Sequence, residues 1–252
     1  MFSEILSSRQ VRAWQVYSLT LCCALVTVAS ISWPNLQYVF GSYGDETTKI
    51  QRLTLTFQHG FDGFPVSGFV HLLINLLLFI FLGLATEKIL GTFYFFILTA
   101  CAMIFYMVVH SAFNMTGHGA GGVLYAYAPV IFYSLSEGRL LKTRSVFDEM
   151  YRNLRTVLLI MYTVIPILMA VVPIHFDSDI PFYQAFLYGN IFHISATLLG
   201  IIFMFLFKEP VRQRLKHFAK KKKFASEPTD KYELWLAMTY PALIVIAFIL
   251  SR

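Results

Sequence analysis

Seven stretches of mainly apolar residues punctuate this chain, at 14–33, 66–86, 92–112, 119–136, 155–174, 185–207 and 232–250. An α-helix rises 1.5 Å per residue, so about 20 such residues cross the ~30 Å hydrocarbon layer of a bilayer. A backbone in lipid must satisfy its own N–H and C=O groups, which selects helices for these stretches. Only 13% of the 252 residues are charged, about half the share of an ordinary soluble domain. That deficit excludes a soluble enzyme, a disordered chain and a nucleic-acid-binding domain, despite a net charge of +6. The expected fold class is an all-α membrane protein.

Details of the stretches refine the expectation. Trp14 and Trp33 bracket the first as interfacial anchors would. No secretory signal with a small-residue cleavage site precedes it, so it is expected to stay as an anchor. Cys22, Cys23 and Cys101 lie inside apolar runs, where a thiol is a small hydrophobe. The fourth stretch is short and carries Gly119, Gly121, Gly122 and Pro129. Small residues let helices approach closely, which places this stretch at the centre of the bundle.

Basic residues set the orientation. Arg9, Arg12, Lys88, Arg139, Lys142, Arg144, Arg152, Arg155 and the cluster from Lys208 to Lys231 fall on one side, against Lys49, Arg52 and Arg252 on the other. The positive-inside rule then puts the N-terminus inside and the C-terminus outside, in a plasma (inner) membrane or an organellar inner membrane. The Lys220–Lys223 run reads as a topology determinant rather than a headgroup or nucleic-acid patch. The chain divides into an inner segment 1–13, a six-helix domain 14–207 with an external loop 34–65, a basic linker 208–231 and a seventh helix 232–250. Phe40, Phe57, Phe61 and Phe64 in the loop suggest that it dips into the membrane interface.

Polar groups inside a span are costly and mark function by default. His71 and Asn75 stand four residues apart, on one helical face. They serve either as interhelical glue or as paired donors for a developing oxyanion. His193 is followed at helical spacing by Ala196 and Gly200, small residues that suit close packing on another helix. The run Gly117-His118-Gly119-Ala120-Gly121-Gly122-Val123-Leu124-Tyr125 opens the fourth stretch. A glycine-rich helix start either packs tightly or offers N–H groups to an oxyanion.

Taken together and in this order, these residues resemble the rhomboid family of intramembrane serine proteases. That family has His-x-x-x-Asn in its second core helix, Gly-x-Ser-Gly at the start of its fourth, and a His followed by small residues in its sixth. Arg52 stands where the family has Trp-Arg in its first external loop, with Gln51 in place of the Trp. Glu87-Lys88-Ile89-Leu90-Gly91 is similar to the family's Glu-Lys-x-x-Gly, and Tyr125 falls where an aromatic ring lies against the catalytic histidine. The resemblance covers roughly residues 14 to 207 and implies a six-helix bundle, with the last stretch adding a seventh helix in a six-plus-one arrangement. It implies a serine-type endopeptidase of transmembrane helices, with His193 as general base and acid. His71 and Asn75 would bind the oxyanion, with Gly119, Gly122, Ala196, Gly200, Tyr125 and Arg52 in support. Neither cofactor nor metal is called for. The lateral gate would be formed by loop 34–65 and the external end of the fifth helix.

One departure bears on activity. Gly121 occupies the position of the nucleophilic serine. A serine–histidine dyad works by removing a hydroxyl proton, and glycine has none to lose. Ser111, Thr116 and Ser195 do not sit at the required position, and His118 completes no metal motif. Three readings follow. The chain is an inactive rhomboid pseudoprotease that binds a transmembrane segment of a client or serves other membrane subunits. Alternatively, it is an active rhomboid protease in a nucleophile-replaced form, with Ser at 121 in the native gene. The third reading, a channel or transporter, lacks an inverted repeat. Retention of His193 and Tyr125 predicts that their rings stack.

Overall fold

The computed structural model describes residues 13–41, 47–60, 65–113, 117–140, 154–169, 181–221 and 231–251. Helices account for nearly all of them, and no strand occurs among the described residues. We number the helices in chain order: α1 (Trp14–Ser32), α2 (Gln37–Phe40), α3 (Lys49–Thr54), α4 (Pro65–Leu78), α5 (Leu84–Leu90), α6 (Thr92–Ala112), α7 (Gly121–Leu140), α8 (Leu154–Met169), α9 (Phe182–Lys221) and α10 (Lys231–Leu250). A π-helical turn, Phe79–Gly83, joins α4 to α5 into one rod.

Among the described residues five helices are long and apolar enough to cross a bilayer: Trp14–Ser32, Gly68–Leu90, Thr92–Ala112, Gly189–Lys216 and Tyr232–Leu250. The other two expected spans are α7, which is less apolar, and α8, which is shorter. Leu21, Leu25 and Val28 of α1, Phe69, Leu73 and Leu77 of α4, and Leu198, Ile202 and Phe205 of α9 point outward and exposed. In lipid those outer faces are solvated by acyl chains, so the bundle needs its polar groups inside.

Helix α7 is the centre, as its small residues suggest. Val123, Leu124, Ala126, Ala128, Val130 and Ile131 are fully buried. Packing around it is close because side chains are missing where helices meet. A Cβ on Gly122 would lie 2.9 Å from the Tyr106 ring of α6. A Cβ on Gly200 would strike the Ala126 carbonyl and Pro129, so α9 lies directly against α7. Helix α10 packs on α1, with the Ser18 hydroxyl donating to the Ala237 carbonyl (2.7 Å) and the Tyr240 hydroxyl donating to Gln15 (2.9 Å).

The structure adds detail at two places. The first part of the 208–231 segment is helical: α9 continues to Lys221 through a kink at Phe207 (φ −115°, ψ 18°). Pro210 explains the kink, since it lacks an N–H and its ring crowds the carbonyl four residues back. Beyond it Val211 and Leu215 are buried, Arg212 pairs with Glu137 (3.4 Å) and Arg214 donates to the Lys88 carbonyl (3.1 Å). The side chains of Lys220–Lys223 lie outside the described residues, as do Arg139, Lys142, Arg144 and Arg152.

Parts of the 34–65 loop also pack into the protein. Phe40, Leu55 and Phe57 are buried among the helices. Gln51, standing where the family's Trp would be, closes a capping box with Thr48 and donates to the Tyr38 carbonyl, so α3 is tied to α2 without that ring. Phe61 and Phe64 lie outside the described residues.

Candidate functional site

The turn before α7 is held by residues of the 34–65 loop. The Gly119 N–H donates to the Leu55 carbonyl (2.9 Å), and the Ala120 N–H donates to His59 Nε2 (3.2 Å). His59 is fully buried, with its Nδ1 3.3 Å from the Phe57 carbonyl and 3.4 Å from the Thr27 hydroxyl. Since Nε2 accepts from Ala120, Nδ1 carries the proton. Val123 and Leu124 both donate to the Ala120 carbonyl. Helix geometry therefore leaves the N–H groups of Gly121 and Gly122 at the open end of α7.

Gly119 has φ +105°, a region that side chains strain to enter, and a Cβ there would also lie 2.6 Å from His71 Cε1. The close approach seats the His71 ring over the turn. His71 also meets His59 and His118 edge to face, with ring centroids 5.1 and 5.3 Å apart. Asn75 is buried on the same face of α4 and donates to the His71 carbonyl (3.2 Å). His59 and His118 lie outside the spans, and burial holds both imidazoles below the ordinary histidine range of 6.5, His118 down to about 3. The positive charge of a neighbouring histidine acts in the same direction.

On the other flank His193 reaches across from α9. A Cβ on Gly121 would stand 2.8 Å from His193 Nε2. The imidazole has thus settled against the glycine, into space that a side chain at 121 would claim. Its ring lies on Tyr125, centroids 4.1 Å apart and planes 13° from parallel, which is the stacking expected from sequence. Tyr125 is fixed in turn by a hydrogen bond from its hydroxyl to the Met161 carbonyl of α8. Behind the histidine, Thr197 donates to the His193 carbonyl (2.8 Å) and accepts from Tyr162 (2.9 Å).

Three helices and the opening turn of α7 therefore bring His71, Asn75, Gly119, Gly121, Gly122, Tyr125 and His193 to one place. Ala196 and Gly200 act one and two turns further along α9, by letting it close on α7. Arg52 is buried in α3 and donates to the His110 carbonyl at the end of α6 (3.5 Å), a structural tie away from His193. Ser111 donates to Met107 from an exposed face and Ser195 to Phe192, so neither approaches His193 Nε2; Thr116 lies outside the described residues. Chemically, the arrangement sets an imidazole beside the N–H groups at the start of α7, and glycine at 121 puts no side chain between them.

Two contributors were not foreseen. His59 offers no local signal, because its partner lies 61 residues away. Asn190 does carry one, standing three residues before His193 on the same face of α9; its Oδ1 is 3.3 Å from His193 Nδ1. The model of the Rhomboid domain matches residues 63–210, more than half of the chain and all of the site except the loop. No curated protein matches it.

Proposed function

The chain belongs to the rhomboid family of intramembrane proteins, and from that premise we propose that it is a pseudoprotease, which engages transmembrane helices of client proteins without cutting them. One observation carries this reading: residue 121 is glycine, and His193 Nε2 lies 2.8 Å from where its Cβ would be. Acyl transfer needs an oxygen at that point, deprotonated as it attacks. Removing the nucleophile of a triad enzyme leaves only about 10³–10⁴-fold catalysis over water. Peptide hydrolysis in water is slow enough that this residue of activity amounts to no useful turnover. What stays would serve recognition: His71, Asn75 and the first N–H groups of α7 are the donors that an unwound stretch of client backbone would meet.

The bundle serves the same reading. An apolar outer surface lets a client helix arrive laterally through lipid, and loop 34–65 with the end of α8 would flank its entry. The N-terminus is inside and the C-terminus outside, in a plasma membrane or an organellar inner membrane. Other membrane subunits are further partners of this kind. His71 and Asn75 are the oxyanion donors of the lost reaction and His193 its base.

Cleavage of a model single-span substrate in liposomes tests the reading. The unaltered chain is expected to cut nothing. Gly121→Ser is expected to cut, slowly, since the imidazole must first withdraw from the new Cβ, and Gly121→Ser with His193→Ala is expected to be inert. Cleavage by the unaltered chain, lost on His193→Ala, overturns the proposal. Binding is read separately, by photo-crosslinking a labelled single-span helix to the reconstituted chain. Labelling that an excess of unlabelled helix does not compete away removes the client-binding half.

A further inference from the structure

The far ring nitrogen of His193 faces a residue that the dyad chemistry does not include. Asn190 is buried between α9 and α8. Its Nδ2 donates twice, to the Pro166 carbonyl of α8 (3.0 Å) and to the Phe186 carbonyl one turn back on α9 (2.9 Å). Both amide hydrogens are thereby used. The flip is determined as well, since the opposite assignment would put an oxygen against two carbonyl oxygens. Oδ1 is left facing His193 Nδ1 at 3.3 Å, and an amide oxygen can only accept.

We infer that Asn190 is a positioning residue that fixes His193 as its Nδ1–H tautomer, with the Nε2 lone pair aimed at position 121. Three contacts then hold the imidazole in place: Asn190 at Nδ1, the Tyr125 ring on its face, and Gly121 at Nε2. The same amide ties α8 to α9, so the orientation of the base is coupled to the helix pair that stands beside it. In triad enzymes a carboxylate does this for histidine; here a neutral amide does, without placing a charge among apolar helices. Such a base is already arranged for a hydroxyl, and a single substitution at 121 would meet it.

The inference rests on the reading of His193 as a retained base, but the first test does not. Nitrogen-15 spectra of the histidine-labelled unaltered chain in micelles report which ring nitrogen carries hydrogen, with His193 assigned by its loss in His193→Gln. Nδ1–H with a bare Nε2 is expected. Asn190→Leu, of similar volume and without an acceptor, is expected to give a mixture or the Nε2–H form, and Asn190→Asp to keep Nδ1–H. Nε2–H in the unaltered chain, or an unchanged tautomer in Asn190→Leu, overturns the inference. Should Asn190→Leu fail to fold, Asn190→Asp and the unaltered chain still decide it. A second arm adds Asn190→Leu to Gly121→Ser and follows cleavage. Loss of about 10- to 100-fold in kcat with KM little changed is expected, the usual cost of removing an outer group that orients a reactive one. No loss there overturns the inference too. If Gly121→Ser itself cuts nothing, the re-arming of the site has failed, and the spectra still decide on Asn190.

Discussion

At the level of single residues the site is built around absent side chains. Gly119 is required twice, by φ +105° and by the His71 ring that a Cβ would meet. Gly119→Ala is expected to destabilise the fold by at least about 1–3 kcal/mol, the cost of a strained backbone alone. Thermal unfolding in detergent checks it, and a variant as stable as the parent would remove Gly119 from this role. Two histidines outside the spans, His59 buried and His118 half-buried, make a second prediction. His59 and His118 stay neutral in the fold, with folded values lowered from 6.5. Below that value the unfolded chain takes up protons that the folded chain refuses, so stability falls as pH drops through 6.5 toward the folded values. For each such histidine the slope approaches about 1.4 kcal/mol per pH unit. Unfolding temperatures at pH 7.5 and 5.5 measure it, and His118→Gln should flatten part of the loss. A midpoint that does not move with pH would contradict the burial of these rings.

Among elements, the motif Glu87-Lys88-Ile89-Leu90-Gly91 has a mechanical meaning. α1 begins at Trp14 after Ala13, which has no side chain to cap it, and the Glu87 carboxylate accepts the Val16 N–H (3.1 Å) instead. Gly91, at φ +78°, ends α5 and leaves room for the Arg214 guanidinium, which takes the Lys88 carbonyl. One short segment thus caps the first helix, closes the second and docks the far end of α9. Glu87→Ala is expected to cost about 0.5–2 kcal/mol, the range of a lost N-cap, and hydrogen exchange should rise first at Val16 and its neighbours. The last helix joins the bundle at the same end. Thr92 donates to Glu233 (3.1 Å), and Gln15 bridges the Thr92 carbonyl to Tyr240. Tyr240→Phe should weaken that docking by about 0.6 kcal/mol, rarely above 1.7, as interhelical hydrogen bonds in membranes do. Trimming of α10 by protease would report it, and no change would assign the docking to apolar contact alone.

Over the whole molecule, the orientation proposed from basic residues can be read directly. Single cysteines placed near each terminus, on a chain cleared of its own thiols, should label from opposite sides of sealed vesicles, the N-terminal one from inside. Labelling of both from one side would remove either a span or the orientation. Much of the bundle was legible in advance, because lipid imposes a simple rule: about 20 apolar residues make a crossing, and polar residues within it must face protein. That rule located the helices, put α7 at the centre and set His71, Asn75 and His193 inward. The helical extension of α9 to Lys221 escaped it, since a helix past the membrane surface needs no apolar run. So did the burial of Phe57 and His59, because both are held by groups remote in the chain. The pattern of residues by itself determined a membrane-spanning helical bundle and a glycine at 121 together with the polar residues His71, Asn75 and His193, since both are matters of which side chains are present. Only the tertiary structure decided that His193 fills the space at Gly121, and that its far nitrogen faces Asn190. Those depend on how closely α9 approaches α7 and α8, a distance set by packing and invisible in the order of residues.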